Sequence, residues 1–186
     1  MAAQAKRSGY ERDGLDWYVE PRWCVDLLLD HEPFDGLTWD PACGGGVIPE
    51  ALWERNLQVE CSDVVDRGCV GHFDHDFLAV VPPFVPDNIL TNPPYRHATE
   101  FILRARCIAR RKVAVITRLD FLASQRRKPL FDGAARVWVL SKRPSMPPGG
   151  FEGPAKGGQH DYCWVVWDRA HRGPCRIGWL APEARR

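Results

Sequence analysis

Residues 91–95 read Thr-Asn-Pro-Pro-Tyr, with two consecutive prolines between an amide and an aromatic ring. Two prolines remove two backbone donors and fix two φ angles, so neither a strand nor a helix continues through them. What remains is a rigid corner that holds the Asn92 side-chain oxygen, the Pro93 carbonyl and the Tyr95 ring in fixed relative positions, with Pro94 as the stiffener. A second candidate lies upstream, in Trp39-Asp40-Pro41-Ala42-Cys43-Gly44-Gly45-Gly46. Glycines after a strand let the backbone turn sharply and approach a ligand without a Cβ in the way. The helix that follows offers free N–H groups. This run has neither the GxGxxG spacing of dinucleotide binders nor the GK[ST] of a phosphate loop.

Two acids extend the second candidate. Asp63 lies 17 residues after Gly46 and ends the next apolar stretch, where a carboxylate can accept hydrogen bonds from both hydroxyls of a ribose. Asp76, followed by Phe77, can hold an adenine amino group against a ring. Cys61, Cys69, His72 and His75 read C-x7-C-x2-H-x2-H, a set able in principle to ligate zinc. That spacing matches no common zinc module, and Cys61 falls inside a predicted strand, so no metal is expected. Cys43 has no adjacent histidine and is expected to be a small packing residue.

These residues need a scaffold, and the hydrophobic pattern predicts one. A helix is expected from about Arg22 to Asp30, a strand over 36–40, a helix over 47–56 and a strand over 57–64. Residues 66–87 are irregular, and 88–90 form a short buried strand running into the proline corner. Residues 97–111 carry Phe101, Ile102, Ala105, Ile108 and Ala109 on one face and read as an amphipathic helix. Strands are expected over 112–119, 135–141 and 162–168, a short helix over 121–131 and an edge strand over 175–180. Trp138, Trp164, Trp167 and Trp179 alternate in strand patterns and are assigned to the core. Strand–helix alternation predicts an α/β fold with a mostly parallel sheet and an antiparallel late strand, because two late strands follow one another with no helix between them. Ligands in such sheets bind at the carboxyl ends of the strands, so the glycine turn and the proline corner share one rim.

At 186 residues with 45% hydrophobic content, one domain is expected over 16–186, behind a flexible segment 1–15. No stretch approaches the ~20 apolar residues of a membrane span, and the first residues carry no apolar run of a signal peptide. Seven cysteines without a CxxC pair are taken as reduced thiols of a cytoplasmic protein. The net charge of +1 conceals an asymmetry. Residues 1–95 hold 6 basic and 17 acidic side chains, whereas residues 96–143 hold 13 basic and 3 acidic. That basic middle suggests a polyanionic partner, with a solvated helix face as the plainer account of Arg104, Arg106, Arg110 and Arg111.

Together, DPACGGG and NPPY resemble the paired signature of S-adenosylmethionine-dependent amino-methyltransferases, and among these the short phage and prophage DNA N6-adenine methyltransferases related to Dam. Asp16–Trp23 (DWYVEPRW) is similar to the family's Tyr/Phe-x-Thr-Pro segment against the cofactor, with Glu20 in place of the threonine. RVWVLSKRPSMPPGG and DYCWVVWD resemble its late strands. The resemblance implies a Rossmann-like class I fold with a seven-stranded-type sheet. It implies S-adenosylmethionine held by Tyr18, Val19, Glu20, Pro21, Asp40, Pro41, Cys43, Gly44, Gly46, Asp63, Asp76 and Phe77. It also implies chemistry at Asn92, Pro93, Pro94 and Tyr95. An aromatic amine is a poor nucleophile because its lone pair is delocalised; the Asn92 oxygen and the Pro93 carbonyl would each accept one of its N–H bonds and favour a pyramidal nitrogen. Asparagine cannot act as a general base, so placement does the work. A duplex base must be flipped out to reach the corner, with Tyr95 as its stacking plate.

Double-stranded DNA is the expected partner. Arg96, Arg118, Lys142 and Arg143 are the candidate phosphate or base contacts, and Arg126, Arg127 and Lys128 form a second basic patch. Loop 142–160, with five glycines and four prolines, is expected to be a mobile lid or target-reading arm, with a disordered connector as the alternative. RNA base methylation, cytosine-N4 methylation and a catalytically silent nucleic-acid-binding module are the alternatives.

Overall fold

The computed structural model describes residues 16–154 and 157–182. The expected flexible segment 1–15 lies outside the described residues. The chain runs α1 (Arg22–Leu29), β1 (Thr38–Asp40), α2 (Val47–Trp53), β2 (Val59–Cys61), β3 (Asn88–Thr91), α3 (Ala98–Ile108), β4 (Lys112–Arg118), β5 (Ala134–Leu140), β6 (Tyr162–Asp168) and β7 (Arg176–Leu180). The strands form a seven-stranded sheet in the order β2-β1-β3-β4-β6-β5-β7. β2, β1, β3 and β4 are mutually parallel, β6 is antiparallel to both its neighbours, and β5 and β7 are parallel to each other.

Strand alternation divides the core into two layers. On β4, Ala114 and Ile116 face α1 and α2 along with Leu90, Trp164 and Val166. Val113 and Val115 face α3 with Ile89, Val165 and Trp167. Helices therefore cover both faces, which is why β1 and β3 are buried at every position and β4 at all but its two ends, rather than at alternate ones. A buried ionic knot ties the end of α1 to the late strands. Glu32, 2% exposed, accepts from Trp138 Nε1 (2.8 Å), Lys112 Nζ (3.2 Å) and both nitrogens of an Arg136 fork. The Arg136 fork also meets Asp168 at 2.9 Å.

Three expectations change. Residues 121–131 do not form one α-helix. They make two 3-10 turns, Leu119–Phe121 and Gln125–Phe131, and Pro129 inside the second has no N–H for an α-helical ladder. Helix α2 stops at Trp53, and Asn56 turns the chain with φ 57°. Trp179 is 67% exposed rather than core among the described residues, because β7 is the sheet edge. No helix among the described residues is long and apolar enough to cross a membrane.

Candidate functional site

β1 sits between β2 and β3, so the chain leaves the sheet in opposite directions at neighbouring carboxyl ends, and a crevice opens where strand order switches. A cavity of about 320 Å³ occupies that crevice, at the lower end of the usual range for small-ligand sites. Its wall brings together Tyr18, Val19, Glu20, Pro41, Cys43, Gly44, Asp63, Asp76, Phe77, Asn92, Pro94 and Arg96. Pro21, Asp40, Gly46, Pro93, Tyr95, Arg118, Lys142 and Arg143 stand outside that wall.

The proline corner is fixed by a segment distant in sequence. Asn92 Nδ2 donates to the Tyr18 carbonyl and to Glu20 Oε2, each at 2.8 Å. Both partners are acceptors, so the amide can have only one orientation. Its oxygen is thereby turned away from both, and Oδ1 is buried with no hydrogen-bond partner among the described residues. Glu20 is itself enclosed. Burial lifts its carboxyl to about 7, and the hydrogen bond from Asn92 opposes that rise only in part. Pro93 is buried, and Pro94 bends the chain with ψ 126° into the short 3-10 turn Tyr95–His97.

Tyr95 is already partnered. Its ring stacks on Tyr18 (centroids 5.5 Å apart, planes 8° apart), and its hydroxyl lies 3.0 Å from that of Tyr162. Burial and the neighbouring Tyr162 hold its phenol well above the ordinary value. One face of the ring thus supports the Tyr18 segment.

Gly44 (φ 52°) and Gly46 (φ 96°) take the left-handed conformations that favour glycine. A Cβ on Gly44 would come within 2.5 Å of the Trp17 indole nitrogen. Asp63 anchors the turn from the end of β2. Its Oδ2 accepts from Gly44 N (2.9 Å), and its Oδ1 accepts from Val65 N (3.1 Å) and pairs with Arg67. Both oxygens are engaged by the protein, so Asp63 is a clamp on the turn as well as a cavity wall. Asp76 caps its own turn by accepting from Leu78 N at 2.9 Å. Phe77 packs between Trp39 and Phe101. Asp40 is fully enclosed behind the turn, where desolvation holds its carboxyl well above the usual range. Pro21 is the residue before α1.

Asp16 and Trp17, inside the segment 16–23 but not among its expected contact residues, and Arg67, which nothing in the sequence marked, also line the cavity. Trp17 lies across the glycine turn, with the Arg67 guanidinium 4.6 Å from its ring centre. Asp16 Oδ2 accepts from Arg96 N at 2.9 Å. Residues 17–19 also pair with the Gly/Pro-rich loop: Val19 N donates to Pro147 O (2.9 Å) and Gly149 N to Trp17 O (3.0 Å). Part of loop 142–160 is therefore paired to a segment that lines the cavity, without lining it itself. The likeness of segment 16–23 to a cofactor-packing segment marked the stretch, but not its pairing with the loop, which joins residues some 130 positions apart.

The basic residues divide into two groups. Arg104 and Arg106 bind main-chain oxygens of Val80, Leu130 and Asp132, so the solvated-face reading fails for them. Arg127 binds Phe121 O and covers its ring. Arg118 pairs with Asp120 and Arg143 with Asp161 (2.7 Å). Arg96, Arg126, Lys128 and Lys142 are exposed.

No protein-family model matches the chain, and no curated protein matches its sequence. Among solved structures, it is similar to a modification subunit of a putative type I restriction enzyme from Vibrio vulnificus YJ016 (TM-score 0.59, 16% identity). That match covers 90% of this chain and 48% of the other, so this chain spans about half the length of that subunit. It is also similar to the 23S rRNA methyltransferase ErmE (TM-score 0.57, 15% identity, covering 83% of this chain and 70% of that one). Magnesium protoporphyrin IX methyltransferase from Synechocystis PCC 6803, solved with bound S-adenosylmethionine, gives TM-score 0.51 at 18% identity, covering 79% of each chain. These likenesses are of fold: the chain has the Rossmann-like methyltransferase architecture.

Proposed function

We propose that this protein transfers a methyl group from S-adenosylmethionine to the exocyclic N6 amine of adenine in double-stranded DNA, as the short Dam-like enzymes do. The observation that carries the reading is Asn92 Oδ1: a buried acceptor without a partner, on the wall of a cavity at the strand-order switch, beside a glycine turn. An unpaired buried oxygen is costly, and a site that retains one holds a place for a donor. An amine N–H is such a donor, and its second acceptor in this reading is the carbonyl of Pro93, the next residue along, which itself stands outside the cavity wall.

The residues present fit S-adenosylmethionine. Gly44 lets the backbone approach the ligand, while Asp16, Glu20 and Asp76 place carboxyl groups around a cation, and Phe77 and Phe101 offer apolar surface. When bound, the sulfonium supplies an electrophilic methyl group whose leaving group needs no acid. The chain's own part is positional. Tyr18 and Glu20 hold the Asn92 amide; Asn92 and Pro93 hold the amine; the two prolines keep the acceptors from relaxing. Gly44→Ala, which puts a methyl group 2.5 Å from the Trp17 nitrogen at a positive φ, is expected to weaken S-adenosylmethionine binding at least about tenfold by calorimetry.

Exposed Arg96 and Lys142 are the basic side chains best disposed to meet phosphate. DNA affinity is expected to fall steeply with salt, and each of Arg96→Ala and Lys142→Ala to reduce the slope of log K against log salt by about 1. Unchanged slopes would remove these residues from the interface.

The fold's likeness to both a DNA-modification subunit and an rRNA methyltransferase makes the nucleic acid the critical test. The protein is incubated with labelled S-adenosylmethionine and either duplex DNA or total RNA, and the product is digested to nucleosides. Label in N6-methyladenine from DNA supports the proposal. Label only in RNA nucleosides, or in N4-methylcytosine, replaces the substrate; no transfer with retained DNA binding makes the protein a silent binding module.

A further inference from the structure

At the glycine turn, where Cys43 also lines the cavity, three cysteines converge from three separate segments. Cys43 belongs to the turn, Cys61 ends β2, and Cys69 lies in the irregular stretch that follows. All three are free and buried, at 6%, 3% and 7% exposure, and pack together as a cluster of their own. Their sulfurs all lie within 4.8 Å of one another, and those of Cys61 and Cys69 are 3.6 Å apart. Metal–thiolate bonds of about 2.3 Å require ligand sulfurs about 3.8–4.0 Å apart, so this triangle closes on a cation with little movement.

We propose that Cys43, Cys61 and Cys69 form a three-thiolate site for a thiophilic divalent cation of the zinc class. The donor set is purely sulfur, which selects soft or borderline metals over magnesium or calcium. Three thiolates around a divalent ion leave one net negative charge, whereas a monovalent ion would leave two beside the enclosed Asp40. In the metal-free chain the Val70 carbonyl accepts from Cys61 Sγ (2.8 Å) and Cys69 Sγ (3.8 Å), and water supplies the fourth position of the cation. Binding releases the three thiol protons to solvent.

The histidines contiguous with these cysteines are not part of the triangle. His72 meets Glu60 at 3.4 Å, and the His75 ring lies edge-on to Trp39. A sequence search for closely spaced ligands pairs the wrong residues, because the third sulfur comes from 18 positions before Cys61. The site cross-links the floor of the cavity. A Cβ on Gly46 would come 3.0 Å from Cys69 Sγ, which shows how closely the sulfurs pack beneath the turn. Because the three segments meet only in the folded chain, the cation stabilises the fold by mass action.

The test uses the reduced, metal-free, full-length chain. Titration with Cd2+ is expected to produce a thiolate-to-metal charge-transfer band that saturates at one equivalent, and Zn2+ is expected to abolish it by competition. The Tm should rise on the order of 5–10 °C at a hundredfold excess of Zn2+ over its Kd. Each of Cys43→Ser, Cys61→Ser and Cys69→Ser should weaken Zn2+ binding at least about a hundredfold, no less than the loss of an outer-shell partner costs. The double variant Cys107→Ser/Cys175→Ser, which removes the two exposed thiols, should leave it unchanged. X-ray absorption of the Zn2+-loaded wild type should show three sulfurs at about 2.3 Å, which decides the matter even where a serine variant does not fold. Absence of the band, a zinc shell dominated by oxygen or nitrogen, or loss of binding in the exposed-thiol variant would each overturn the site.

Discussion

Asn92→Ala is expected to lower methyl transfer by about a thousandfold or more while changing S-adenosylmethionine affinity less than about threefold. The magnitude follows from losing a pre-positioned hydrogen-bonding group at a reacting centre, which typically costs about 10²–10³ in rate. Here the alanine removes two functions at once. It deletes the only partnerless acceptor of the side chain, Oδ1, and it frees Glu20 Oε2 and the Tyr18 carbonyl, which the amide now ties together. The donor molecule's pocket survives, since the glycine turn is anchored by Asp63, itself held by Val65 N, rather than by Asn92. Single-turnover transfer measured beside calorimetric binding checks both halves. A variant that still methylates at a tenth of the wild-type rate would refute the role given to Asn92.

The second large effect concerns Glu20 and pH. Desolvation holds its carboxyl at about 7 in the folded chain, against 4.5 for the ordinary group. The folded protein therefore binds the extra proton across that interval, so stability falls as pH rises. The contribution of the neutral form is complete below about 4.5 and lost as pH passes through 7. A difference of 2.5 units corresponds to something on the order of 3 kcal/mol. Glu20→Gln keeps a carbonyl acceptor for Asn92 Nδ2 but cannot ionise. It should remove this fall from the stability curve, while Glu20→Ala leaves the Asn92 amide half-held and reduces transfer. Urea unfolding at pH 5, 6, 7 and 8 for wild type and Glu20→Gln reads the difference directly. Parallel curves for the two proteins would show that Glu20 is not the titrating group.

Both predictions depend on contacts that no spacing in the sequence announces. The alternation of apolar runs and helical periods was legible over most of the described chain, and with it the parallel sheet, the antiparallel β6 and the placing of the glycine turn and proline corner on one rim. Such patterns are local: a strand or helix is encoded in neighbours two to four residues apart, and glycines or prolines mark its ends. The failures were local as well where a proline intervened, as Pro129 did in the expected helix 121–131.

The sequence by itself determined which chemical groups are present and roughly which strand end each one leaves. The tertiary structure alone decided how they are partnered. Glu20 meets Asn92 across 72 positions, Tyr18 takes one face of Tyr95, Trp17 lies over Gly44, Arg104 and Arg106 are taken by main-chain oxygens, and Cys43 joins Cys61 and Cys69. The physical reason is that hydrogen bonds, ring contacts and sulfur–sulfur approaches are fixed within an ångström or less. That precision comes from close packing between layers, not from the periodicity that builds each layer.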